Sequence, residues 1–123
     1  IVKLCGDELN LYSGEDGLVQ YLMSAGGLGV ISVLSNIAPG YMSEMVHSYL
    51  DGNTKKAWEM QVACQDIVNA LFCEVNPIPV KEAVNMIGLP GGKCRLPLVD
   101  MQEANKAKLA KAIEDFKKIG GIR

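Results

Sequence analysis

The sequence predicts an α/β fold in which two strand-to-helix units, of the kind found in an α/β barrel, lead into three further helices. Three observations carry this. Gly26 to Pro39 runs from a glycine turn through branched apolar residues to a polar end and a proline, which reads as turn, buried strand and helix start. Ahead of it, Leu9-Asn10-Leu11-Tyr12 alternates as a short strand does, and Ser13-Gly14-Glu15-Asp16-Gly17 follows as its loop. Beyond Pro39 every periodic segment has helical spacing. A strand-to-helix crossing of this kind is where barrel enzymes place their substrates. Two parallel strands do not make a stable sheet and leave unpaired edges, so the expectation is the C-terminal half of a barrel.

Each element has its own reason. Ile1 to Cys5 reads as a helix C-terminus with Gly6 as its stop. With no initiator methionine, this opening is expected to be the tail of an interrupted helix. Leu18, Tyr21, Leu22 and Ala25 fall at helical spacing and form the expected apolar face of a short helix, which Gly26 and Gly27 end. Val30-Ile31-Ser32-Val33 is the second expected strand, apolar or small on both sides as a strand covered on both faces would be. From Pro39, a stripe of Met42, Met45, Val46, Tyr49 and Leu50 marks a helix that Asp51-Gly52-Asn53 ends. Asn53 or Thr54 caps the next, a helix to about Cys73 with Ala57, Met60, Cys64, Ile67, Val68 and Leu71 inward. Pro77 and Pro79 predict an extended passage, followed by a short helix from Val80 to Ile87. Gly88 to Pro97 is a loop, and the last helix spans Met101 to Ile119 with Leu109, Ala112, Ile113 and Phe116 inward.

Composition bounds the function. The 123 residues suffice for one domain, and 49% hydrophobic with 21% charged residues is ordinary for a globular chain. Twelve basic against fourteen acidic residues give a net charge of −2, with no general pull toward nucleic acid or an anionic membrane. No apolar run approaches the ~20 residues that span a bilayer, and no signal-peptide pattern opens the chain, so a cytoplasmic location is expected. Cys5, Cys64, Cys73 and Cys94 form no Cys-x-x-Cys pair and are read as reduced thiols. His47, the single histidine, lies off the apolar stripe and is read as a solvated helix residue. No metal and no cofactor is expected.

Several residues invite sharper readings. Lys81 is held by nearby prolines and is the tempting Schiff-base lysine, but Glu82 beside it does not lower an amine's pKa, and a structural role for the 76–81 turn is preferred. Glu15 and Asp16 are paired carboxylates at a strand end; acid/base work is one reading, and partnership with a helix N-terminus is preferred. Gly26-Gly27-Leu28-Gly29 precedes a strand rather than a helix, the wrong geometry for a phosphate cradle; Ser35-Asn36 is the better phosphate candidate, and a minor one. Lys106, Lys108, Lys111, Lys117 and Lys118 alternate with acidic residues as on a solvated helix face.

Four blocks then carry a family resemblance in order and spacing: Ser13-Gly14-Glu15-Asp16, Gly26-Gly27-Leu28-Gly29-Val30-Ile31-Ser32-Val33, Asn76-Pro77-Ile78-Pro79-Val80-Lys81, and Arg95-Leu96-Pro97-Leu98. With them the chain resembles the dihydrodipicolinate synthase / N-acetylneuraminate lyase family of class I, Schiff-base aldolases. The resemblance implies the C-terminal part of a (β/α)8 TIM barrel. Residues 1–51 would hold strands seven and eight with their helices, and 52–123 a C-terminal three-helix domain. It implies condensation of pyruvate with aspartate semialdehyde, in lysine biosynthesis, through a lysine imine and its enamine. The catalytic lysine and the proton-relaying tyrosines would precede Ile1, leaving no catalytic residue in this chain. Ile31 would touch pyruvate through its backbone carbonyl, and Gly14 would line the same mouth. The implied partners are the two substrates, the N-terminal half of the barrel and further copies in a homo-oligomer, a tetramer in the family. Two alternatives stand beside this: another pyruvate-dependent aldolase of the N-acetylneuraminate lyase or 2-keto-3-deoxygluconate aldolase type, and a non-catalytic helical interaction module.

Overall fold

A computed structural model describes residues 1–122, the side chain of Asp7 excepted; Arg123, the last residue of the second expected domain, lies outside the described residues. The chain is mostly helical with one small parallel sheet. In order it contains α1 (Val2–Cys5), β1 (Tyr12–Ser13), α2 (Val19–Ser24), β2 (Gly29–Val30), α3 (Pro39–Leu50), α4 (Thr54–Ala63), α5 (Gln65–Leu71), α6 (Ile78–Met86) and α7 (Glu103–Lys118). Short 3-10 turns lie at Gly6–Glu8, Asp16–Leu18 and Leu34–Asn36.

The two strands pair in parallel, Tyr12 opposite Gly29 and Ser13 opposite Val30. Leu28 N–H donates to Leu11 O and Ile31 N–H to Ser13 O, each at 2.8 Å, so the pairing extends one residue each way. Both strands are shorter than the expected 9–12 and 30–33 and shifted within the sequence. The physical reason for the second is local. Val33 and Leu34 give their N–H groups to a side chain, and Ser32 Oγ accepts Ser35 N–H at 2.8 Å, which turns the chain before a longer strand can form. The cover expected on both faces of residues 30–33 is partial: Val30 and Val33 pack against the core, while Ile31 is 74% exposed.

The glycine pair does what its place demands. Gly26, at φ 97°, takes the left-handed conformation that ends α2. Its N–H reaches Met23 O and that of Gly27 reaches Leu22 O, a Schellman closure. A Cβ on Gly27 would lie 2.9 Å from Leu22 O.

The face of α2 is the opposite of the one expected. Val19, Gln20 and Met23 are buried, while Leu18 and Tyr21 are more than half exposed. Apolar residues occur on both sides of this short helix; Val19 and Met23 join the core, while Tyr21 packs edge-to-face on Trp58 of α4 with the ring centroids 4.7 Å apart. On α3, Met42 and Met45 are buried as expected, but Leu50 is exposed and Ser48 buried.

Asn53 caps α4, its Oδ1 accepting Lys56 N–H. The single helix expected to Cys73 breaks at Cys64, so four helices, not three, follow Asp51 among the described residues. Hydrogen bonds from Cys64 N–H to Met60 O and from Val68 N–H to Cys64 O bridge the break, and Ala57, Cys64, Ile67, Val68 and Leu71 still share one buried stripe. The expected extended passage at the prolines is a helix start instead. Pro79 stands in the first turn of α6, where a missing N–H costs nothing and the fixed φ suits a helix. On α7, Leu109, Ile113 and Phe116 face inward, and its outer face carries Lys–acid pairs three residues apart. One apolar cluster runs through the molecule from Val19 to Phe116.

Candidate functional site

The C-terminal ends of β1 and β2 lie side by side, where the expected mouth would be. Gly14 and Ile31 are the residues directly after the paired Ser13 and Val30, so the register brings them side by side at the C-terminal end of the strands. Gly14 faces open space, with nothing within 4 Å of where a Cβ would stand. The Ile31 N–H is fixed on Ser13 O, and its side chain projects into solvent. A shallow cleft beside the mouth lies between β2 and α3, lined by Tyr12, Val30, Ser32, Met42, Val46 and His47 among others.

Behind the mouth the polar groups are buried and ordered. Ser13, 4% exposed, donates from Oγ to Glu15 O at 2.8 Å and accepts Glu15 N–H at 3.1 Å. Asp16 is 1% exposed. Its Oδ2 accepts the N–H groups of Val33 and Leu34, both at 2.9 Å. The preferred reading of Glu15 and Asp16 as partners of a helical N-terminus therefore divides between two turns. Glu15 accepts Gly17 N–H in its own 3-10 turn, and Asp16 serves the turn that follows β2.

Gln20 and Gln61 complete this cluster, and neither was singled out from the sequence. Gln61 Nε2 donates to Asp16 O at 2.9 Å and its Oε1 accepts Gln20 N–H at 3.1 Å. A signal existed: Gln61 stands four residues after Ala57 and three before Cys64, on the apolar stripe, and a polar side chain there needs a buried partner. Burial first, then the negative charge of Asp16, pushes the Cys64 thiol up to about 11. Tyr41 donates to Met60 O at 2.7 Å, and burial above all raises its phenol, with the charges of Cys64 and Glu44 adding.

The other residues singled out lie elsewhere or are engaged. Lys81 sits on α6 beside Glu82, Asn85, Lys93, Asp100 and Lys106, in a cleft of mixed charge. The phosphate candidates are committed to their turn: Ser35 Oγ donates to Ser32 O and Asn36 Nδ2 to Val33 O, both at 2.9 Å. His47 is exposed on α3, its Nδ1 2.8 Å from Ser43 O. The four cysteines are free, and no three metal-ligating side chains come together among the described residues. No helix among those residues is long and apolar enough to cross a membrane.

Comparison with known proteins places this arrangement. A profile of the Dihydrodipicolinate synthetase family matches residues 1–116. The 4-hydroxy-tetrahydrodipicolinate synthase of Lachnoclostridium phytofermentans is 46% identical over 122 residues, 99% of this chain and 40% of that protein. The enzyme of the same name from Caldicellulosiruptor bescii is 49% identical over 116 residues, 94% of this chain and 39% of that protein. Among solved structures, a chloride-inhibited dihydrodipicolinate synthase from Acinetobacter baumannii, complexed with pyruvate, superposes with a TM-score of 0.88 at 36% identity. The match covers 98% of this chain and 40% of that one. The Thermotoga maritima dihydrodipicolinate synthase gives 0.86 at 39% identity, over 98% of this chain and 40% of its own. The chain thus spans about 40% of the length of the relatives it matches. With a family profile running over nearly the whole sequence and relatives at close to half identity, the chain belongs to the dihydrodipicolinate synthetase family.

Proposed function

We propose that this chain supplies the last two strand–helix units and the C-terminal helices of a (β/α)8 aldolase of the 4-hydroxy-tetrahydrodipicolinate synthase type. The observation that carries the reading is the parallel pair β1–β2. It has no third strand among the described residues, it leaves Tyr12 and Ile31 exposed, and it belongs to a chain about 40% as long as its relatives. A parallel pair with bare edges asks for neighbours on both sides. In the assembled protein, pyruvate condenses with a lysine amine outside this chain, and the enamine derived from that imine adds to aspartate semialdehyde.

The chain's own contribution is the mouth. Gly14 offers a wall without a side chain. Ile31 offers its backbone carbonyl, whose negative end favours the positive charge of the iminium formed on pyruvate. Residues 1–51 act as the barrel part and 52–123 as the helical part, packed on one shared core. The location is the cytoplasm, and the assembled barrels associate as a homo-oligomer.

The test joins this chain to the portion of the L. phytofermentans enzyme that precedes the matched region. Pyruvate turnover dependent on aspartate semialdehyde supports the reading. A folded chimera with no such turnover removes it.

A further inference from the structure

We propose that Asp16 is a positioning residue for the pyruvate site: its buried carboxylate fixes the backbone carbonyl of Ile31 by holding the next turn of chain, and Gln61 of α4 holds Asp16 in place. The proposal rests on the aldolase reading above and deepens it.

The geometry is a chain of fixed points. Ile31 N–H is bound to Ser13 O on β1 at 2.8 Å. Two residues on, Val33 N–H is bound to Asp16 Oδ2 at 2.9 Å, and Leu34 N–H to the same oxygen. The Ile31 carbonyl lies between these anchors, so the peptide planes on either side of it cannot swing freely. Without Asp16, the turn would keep its internal bonds between Ser32 and Ser35 but would lose its tie to the turn that follows β1, leaving Ile31 N–H on Ser13 O as the link across the strands. The turn, and the Ile31 carbonyl that leads into it, would then be free to shift relative to β1.

Burial argues the same way. A carboxyl group only 1% exposed is costly unless its hydrogen bonds compensate. Oδ2 makes two, whereas Oδ1 has no partner among the described residues. What the fold gains from this carboxylate is therefore the turn that Oδ2 holds. Direct acid/base work is a poor fit, since the engaged oxygen faces backbone donors rather than the mouth.

The anchor is itself anchored from the helical part. Gln61, 2% exposed, donates to Asp16 O and accepts from Gln20 N–H, bracketing the turn from Asp16 to Gln20. These contacts join residues 41 and 45 positions apart in sequence. The helices beyond Asp51 thereby set the position of a backbone group at the substrate site, although they contribute no side chain to it.

The experiment uses two variants. Asp16→Ala removes the acceptor; Asp16→Asn keeps an oxygen that can face the same two N–H groups. In the chimera with the N-terminal portion, Asp16→Ala is expected to raise KM for pyruvate about tenfold, with KM for the aldehyde little changed and Asp16→Asn restoring most of the loss. In the 123-residue chain, amide exchange at Val33 and Leu34 speeds up in Asp16→Ala and much less in Asp16→Asn. Accelerated exchange with an unchanged pyruvate KM shows a purely structural role and overturns the proposal. Slow exchange retained in Asp16→Ala overturns it as well. Absence of turnover in the unmodified chimera removes the aldolase reading itself, and the positioning role falls with it.

Discussion

Replacing Gln61 with leucine tests how the two parts of the chain are held together. The side chain is buried and makes two long-range hydrogen bonds, to Asp16 O and from Gln20 N–H. Leucine is close in volume, so packing changes little, but both backbone partners lose their bond in a place water does not reach. A buried polar group left unpaired costs about 1–3 kcal/mol, so the two together place the loss at about 2–6 kcal/mol. With a urea m-value of about 2 kcal/mol per molar, the central loss of about 4 kcal/mol lowers the unfolding midpoint by about 2 M at an unchanged slope. Val62→Ala, on the same helix but 71% exposed, is the control and is expected to stay within about 0.5 kcal/mol of the parent. Chemical denaturation followed by circular dichroism reads both. A Gln61→Leu protein as stable as the control would refute the view that this buried amide pins the strand ends to the helices.

Two further outcomes follow from burial. The Cys64 thiol, held up to about 11 from an ordinary 9.0, favours the folded state while it is protonated. Its contribution is complete below pH 9 and is lost as pH rises through about 11, amounting to about 2–3 kcal/mol. Cys64→Ala is therefore expected to show a flatter stability profile across that window. Some decline should remain, because Tyr41 is raised in the same sense. A profile as steep as the parent's would contradict this. The chain by itself is also expected to associate, since Leu9, Leu18, Tyr21 and Ile31 are each more than half exposed near an unpaired sheet. Sedimentation velocity over a concentration series checks it; a compact monomer at every concentration is the contrary result.

The elements legible in the sequence were those whose signal is local and one-sided. The stripe of Leu109, Ile113 and Phe116 holds the large apolar side chains of α7, with lysines, acids and small alanines on the other sides, so its face is unambiguous. Asn53 sits where a cap must be, and Gly26-Gly27 where a left-handed turn and a close approach are both needed. What failed had a second solution. On α2, Leu18, Tyr21 and Leu22 compete with Val19 and Met23, and which set enters the shared core is settled only by the tertiary packing; Tyr21 stays at the surface against Trp58 of α4. Pro77 and Pro79 break a helix in its interior but begin one readily, and position within the element is a tertiary outcome. At the site, Gly14 and Ile31 came from a motif, and the register places them side by side. The cluster of Asp16, Gln20 and Gln61 joins residues far apart in sequence. Nothing in residue type alone says which distant amide meets which backbone group.

On the proposed aldolase reading, the reacting lysine lies outside this chain and the chain lines part of the substrate site around it. Borohydride trapping with pyruvate, followed by intact mass and peptide mapping of the chimera, tests it most directly. One reduced pyruvate adduct per barrel is expected, carried on a lysine of the N-terminal portion, and none within residues 1–123. The 123-residue chain treated alone is expected to stay unmodified. A stoichiometric adduct on Lys81, or on any other single lysine of this chain, would contradict it.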